Sequence, residues 1–220
     1  RTGNLAYGWS PAPLAEKDID NDYLNRTDVY HANLFHNADW SDRLSSALNL
    51  DFVYNRNRYR QATAETSSGE WLETESRGKG NLSIASGQLA FDYRPASGVQ
   101  VGFGSDVSRV HTHNELQSTA DNVAASLYDE DEVRAAAFAD VSAEAGDFSF
   151  QAGVRYEYMQ MKFRDRLDAS GNLTRRFHNV YPSASVSYKH NGWSQTLSFS
   201  SRTTRPSFRQ LSNAVYYSNE

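Results

Sequence analysis

The sequence predicts an all-β fold, an antiparallel up-and-down meander of long strands, and three observations predict it. Residues 147–163 read DFSFQAGVRYEYMQMKF. Phe148, Phe150, Ala152, Val154, Tyr156 and Tyr158 share one face, and Ser149, Gln151, Gly153, Arg155 and Glu157 the other, the period of two that marks a strand. The run is about three times the roughly 5–6 residues of a mean strand. The connections alternate short, long, short. Finally, the step from Phe148 to Tyr158 covers about 33 Å at roughly 3.3 Å per residue, or roughly 25 Å of membrane normal at a tilt of about 40°. That is the height of a lipid-facing apolar band, so the meander is read as part of a transmembrane β-barrel.

The elements follow in order. Leu5 to Trp9 fits the end of one strand, and residues 28–36 form a weaker one. Residues 43–55 carry Leu44, Leu48, Leu50, Phe52 and Tyr54 at strand spacing, and Leu89, Phe91 and Tyr93 mark the next strand. Residues 98–109 alternate through Val99, Val101 and Phe103, and residues 133–144 through Val133, Ala135, Ala137, Ala139, Val141 and Ala143. After 147–163 come 180–189, with Val180, Pro182, Ala184, Val186 and Tyr188, and 193–204, with Trp193, Leu197 and Phe199. Pro206 donates no N–H, so the last strand is expected to end near Arg205; Pro182 is read as a strand start. About nine strands fit.

Residues 37–42, 95–98, 145–147 and 190–192 are tight and carry the Pro, Gly, Asn and Asp that hairpins use. Between them, residues 10–27, 56–84, 110–132 and 164–179 read as long polar loops. Because these fall at alternate connections, all emerge at one end, the layout of outer-membrane barrels. Trp40, Tyr93, Phe148, Tyr188 and Trp193 would form an aromatic girdle near the turns, and Tyr54, Tyr158, Phe163 and Tyr181 one near the loops.

The 220 residues suit one domain. A mean hydropathy of −0.70 leaves no window for a transmembrane helix, and a barrel needs none. With no cysteine, disulfides and thiolate metal sites are excluded. A net charge of −5 argues against nucleic-acid binding. The chain opens at Arg1 without a signal peptide, so a mature chain or an excised piece is expected.

Gln151-Ala-Gly-Val-Arg-Tyr-Glu157, then Tyr181-Pro-Ser183, then Ser200-Ser-Arg-Thr-Thr-Arg-Pro-Ser207 with Leu211 beyond it, resemble the barrel of TonB-dependent outer-membrane receptors, in particular the outer-membrane-protein β-barrel group common in Bacteroidota. The resemblance covers roughly residue 28 to the C-terminus. It implies a bacterial outer-membrane location and a plugged barrel of about 22 strands importing a scarce ligand (siderophore, haem, cobalamin or glycan), energised through TonB. The partners it implies are membrane lipid, a plug domain, the TonB system and that ligand; no cofactor is expected. No TonB box, plug domain or aromatic-ended closing strand is found in the sequence. Residues 1–220 are therefore expected to be a single barrel segment, itself inactive in transport and able to self-associate through its open edges. The alternative is a soluble β-sandwich module of the cell envelope that binds a ligand or mediates adhesion.

Arg134, Arg155, Glu157 and Arg202 would project into the lumen if the aromatic faces meet lipid, contacting substrate or plug. Gly102, Gly104 and Gly153 fall on the same polar face, where curvature, room for a plug or relief of local crowding explains them. Asp18, Asp20 and Asp22 have the first acidic positions of a calcium loop, but Tyr23 stands where Gly is needed and Val29 where the bidentate Glu is needed. His111 and His113 share one side of an extended chain and can hold a metal with Glu115. Residues 129–132 read as a charged loop base. No Gly-x-Ser-x-Gly or His-Glu-x-x-His occurs, and no enzyme is expected.

Overall fold

The computed structural model describes residues 17–67, 70–120 and 123–203. They form β1 (Lys17–Ser41), β2 (Leu44–Ser67), β3 (Glu70–Ala96), β4 (Val99–Ser118), β5 (Ser126–Ala145), β6 (Phe148–Asp165), β7 (Leu173–His190) and β8 (Trp193–Ser200). One antiparallel sheet takes all eight in sequential order. No second sheet lies against either face among the described residues, so the β-sandwich alternative is not this fold. Leu5 to Trp9 lies outside the described residues, as does Arg205. Among the described residues no helix is long and apolar enough to cross a membrane, which says nothing of strands.

Three tight turns fall where expected, centred on Ser97-Gly98, Gly146-Asp147 and Asn191-Gly192; the first, Asp42-Arg43, lies at the far end of the expected 37–42 because β1 pairs on to Ser41. In the last, Asn191 (φ 45°) and Gly192 (φ 81°) both take the positive φ that a two-residue turn matching strand twist requires.

The long polar stretches are another matter, because they are mostly strand. β2 and β3 stay paired from Leu44↔Tyr93 out to Ser67↔Glu70. β1 is already strand at Lys17, β4 and β5 pair as far as Leu116↔Ser126, and β6 and β7 as far as Phe163↔Leu173. Apolar alternation ends where lipid ends, but the backbone ladder needs no apolar side chain. The hairpins therefore continue beyond the membrane as polar two-stranded arms, all at one end of the sheet.

The last strand stops sooner than expected, at Ser200. Ser201 N still donates to the Pro182 carbonyl at 3.1 Å, but Pro182 has no N–H to return. Pro182 therefore sits inside β7 rather than at its start, with its missing donor turned toward β8, where the ladder ends.

The register gives every strand two faces. Val154 is flanked by Ala139 and Pro182, and Phe150 by Ala143 and Val186. This outer face stays exposed, with Phe150, Val154, Leu197 and Phe199 all uncovered. On the other face Ala136, Glu157, Met159, Met161 and Phe163 are buried. Side chains there meet across strands, as expected for the concave side of a curling sheet. Among the described residues β1 pairs only with β2 and β8 only with β7, so the sheet is open.

The turn-side girdle faces outward as expected: Trp40 donates to Ser46 Oγ at 2.9 Å, and the Phe148 ring lies 4.9 Å from Tyr188. At the loop end, Tyr54 is outward, 6.3 Å from Tyr30, and Tyr158 shares that face. Phe163 and Tyr181 are corrections. Each lies an odd number of residues from an outward neighbour on its strand (Tyr158, Pro182), so the pleat turns both inward. Phe163 packs 5.3 Å from Tyr128.

Candidate functional site on the inner wall

Asp106, Arg155 and Glu157 form the centre of the inner wall. β4 places Asp106 and β6 places Arg155, with β5 between them. Arg155 crosses β5 to donate from Nη1 to Asp106 Oδ2 at 2.7 Å and from Nη2 to Oδ1 at 3.0 Å. The crossing is possible because Ala136, directly between Asp106 and Glu157 in register, presents only a methyl group. Arg155 Nη2 also reaches Glu157 Oε2 at 3.5 Å. A forked guanidinium on a carboxylate is among the strongest polar contacts available, and it holds β4 and β6 at a fixed curvature. Tyr181 lies beside Arg155 in register.

Arg134 stands next along the wall, between Ser108 and Met159. Its Nε is buried and has no hydrogen-bond partner among the described residues, so it is an available donor. Arg202 is not part of the group, since it lies beyond β8 and is exposed. The pleat thus brings together three of the four expected inward residues.

A second inner network lies on β1 and β2. Asn33 donates to Asn49 at 2.7 Å and to Asp51 at 2.8 Å, Asn49 donates to Asp51 at 2.9 Å, and His31 Nε2 lies 3.3 Å from Asp51. Sequence reasoning missed this network and Asp106. Their signal was weak but present, for polar side chains recur at every second residue of 31–33, 49–51 and 106–108. Which of them meet depends on cross-strand register.

The inner-face glycines mark close approaches. A Cβ on Gly104 would stand 2.7 Å from Phe138 Cζ and 2.4 Å from the Leu89 carbonyl oxygen. One on Gly78 would stand 2.0 Å from the Tyr59 ring. Crowding therefore explains Gly104: the tip of the Phe138 ring and the β3 backbone occupy the space a side chain would need.

The metal candidates resolve differently. Asp20 and Asp22 lie on the exposed outer face of β1, in an extended strand rather than a loop able to wrap a cation, and Asp18 belongs to the same strand. His111 and His113 share the outer face of β4, yet each faces a carboxylate on β5: His111 Nδ1 is 3.1 Å from Asp131 and His113 Nδ1 2.6 Å from Asp129. Glu115 instead accepts from Lys79 at 3.3 Å. No group of three metal-ligating side chains occurs among the described residues. Residues 129–132 are strand, not loop.

Beyond the lipid-height segment, Asp129 and Asp131 are held ionised. Burial opposes ionisation of Asp129, but His113 and Arg166 donate to it, Arg166 Nε at 2.7 Å, and hold its carboxyl below the usual range. Asp131 is held low against burial in the same way, by Arg109 and His111. Glu130, with burial and no compensating donor, is pushed up.

The sequence profile of the outer membrane protein beta-barrel family matches residues 41–220. The chain belongs to this family. The exposed apolar face is accordingly its lipid face, and the protein resides in the bacterial outer membrane. No curated protein matches the chain. Among solved structures it is similar to the ferric citrate transporter FecA in the unliganded form, 12% identical over 82% of this chain and 35% of that one, with a TM-score of 0.49. It is also similar to the alcaligin outer-membrane receptor FauA from Bordetella pertussis (13% identity, 85% and 41% covered, TM-score 0.47). A third is the FrpB iron transporter from Neisseria meningitidis (15% identity, 86% and 37% covered, TM-score 0.43). The chain spans less than half the length of these proteins.

Proposed function

We propose that this chain is a wall segment of a TonB-dependent outer-membrane receptor that imports a scarce ligand such as a siderophore, haem, cobalamin or glycan. The observation that carries the reading is the open sheet. A closed eight-stranded barrel would pair β1 with β8; here both edges are unpaired among the described residues, which fits an arc of a wider cylinder with room for a plug. The motif resemblance at residues 151–157, 181–183 and 200–207 supports the same reading. On it, plug domain and further strands belong to the complete protein, and Arg134, Arg155 and Glu157 line the lumen, where they bind plug or ligand. Arg202 would serve only from the rim.

Deleting the gene and measuring uptake of iron chelates, haem, cobalamin and glycans, with and without a protonophore, tests it. Loss of energy-dependent uptake of one ligand is expected. Normal uptake of every candidate would overturn it.

A further inference from the structure

The outer face of β1–β3 carries cations abreast, just beyond the lipid belt. The register sets Arg26, Arg58 and Lys79 side by side on three adjacent strands, and Arg60 beside Arg77 in the next row toward the tips. All five are exposed. Like charges directly opposite one another are destabilising, and in a chain of net charge −5 this alignment is no by-product of composition.

Carboxylates temper the patch without filling it. Glu75, on the tip side, accepts from both Arg60 and Arg77; Asp28, on the membrane side, pairs with Arg26 at 3.3 Å; and Asp22 and Glu73 act on Arg60 from farther off. Within the two rows themselves the carboxylate is Glu115, 3.3 Å from Lys79. Arg58, at the centre, forms no ion pair among the described residues.

The height of the patch identifies its counter-ion. Arg58 lies about 13 Å along β2 from Tyr54, hence roughly 10 Å farther along the membrane normal at barrel tilt. Farther down the same strands, past the row of Asp28, Arg56 and Asn81 and the Tyr30–Tyr54 pair, Leu34, Leu50 and Phe52 face outward and exposed, offering a seat for acyl chains. A group with apolar tails at that belt and an anionic head at the cations is a phosphorylated lipid, and guanidinium forks match phosphate oxygens.

We infer that the outer face of β1–β3 binds the phosphate groups of an outer-leaflet lipid headgroup through Arg26, Arg58 and Lys79, with Arg60 and Arg77 behind them. The complete protein, reconstituted in phosphatidylcholine vesicles, is titrated with lipid A, with dephosphorylated lipid A and with inorganic phosphate. Lipid A is expected to bind, and binding to weaken about thirtyfold in Arg58→Ser/Lys79→Ser, about fivefold per cation removed. Glu115→Gln, which removes the opposing charge, strengthens it. Arg164→Ser, an outward cation on β6, leaves it unchanged. Equal binding by the double variant, equal binding of the dephosphorylated lipid, or a matching loss in Arg164→Ser would overturn the inference. So would displacement by inorganic phosphate at the lipid's concentration, which would mark a site for free anions.

Discussion

Arg155 holds Asp106 through two hydrogen bonds, of 2.7 and 3.0 Å, reaching over a whole intervening strand. The contact exists because the sheet curls toward it and because Ala136 leaves the way open. Removing one partner strands a part-buried charge, so Asp106→Ala is expected to cost about 1–3 kcal/mol. Arg155→Ala should cost a similar amount, and the double variant less than their sum. Thermal unfolding of the complete protein in detergent measures this; strict additivity would show that the two residues do not act as a pair.

Gly104→Ala is expected to destabilise by about 1–3 kcal/mol, because the new methyl collides with Phe138 and a β3 carbonyl. Gly104→Ala/Phe138→Leu should recover part of the loss, since the backbone contact remains. An unchanged unfolding midpoint in the single variant would contradict the crowded inner face.

Acid should loosen the arms before it touches the belt. Hydrogen bonds from Arg77 and Arg60 hold the Glu75 carboxyl down to about 2 from an ordinary 4.5, and Asp129 and Asp131 are lowered as well. A depressed folded-state pKa contributes stability fully present above the unfolded value and lost as pH falls through the folded one. Amide protection at the loop end of β2 and β3, corrected for intrinsic exchange, should therefore fall between about pH 5 and pH 3, less so in Glu75→Gln. Constant protection over that range would contradict the assignment.

The 220-residue chain alone exposes Phe148, Phe150, Val154, Tyr156, Leu197 and Phe199, beside two strand edges that are unpaired among the described residues. Such a belt exceeds what a soluble monomer normally presents, and open edges pair with other copies. Light scattering in detergent-free buffer should show oligomers. A stable, soluble monomer would contradict the lipid-facing assignment.

Most of the sheet was legible because lipid imposes a period-two rule, and where lipid stops the rule stops too. That is why the belt of β6 could be read from Phe148 to Tyr158, while the arms of β2 and β3 passed for loops. Arg134, Arg155 and Glu157 were legible as inward residues from parity alone, which would also have corrected Phe163 and Tyr181 had it been carried past the belt. Asp106 was not legible as the partner of Arg155, since the contact depends on the register of two ladders and on the smallness of Ala136.

The central claim is that alternate residues of β6 face lipid and lumen, and the chain's lack of cysteine makes it directly measurable. Single cysteines from Ser149 to Tyr158 in the complete protein, spin-labelled in native membranes, report collisions with oxygen, which concentrates in lipid, and with an aqueous nickel complex. The account predicts oxygen maxima at Phe150, Ala152, Val154 and Tyr156, with minima at Gln151, Gly153 and Arg155. A profile without the two-residue period, or with maxima at the odd positions, would contradict it.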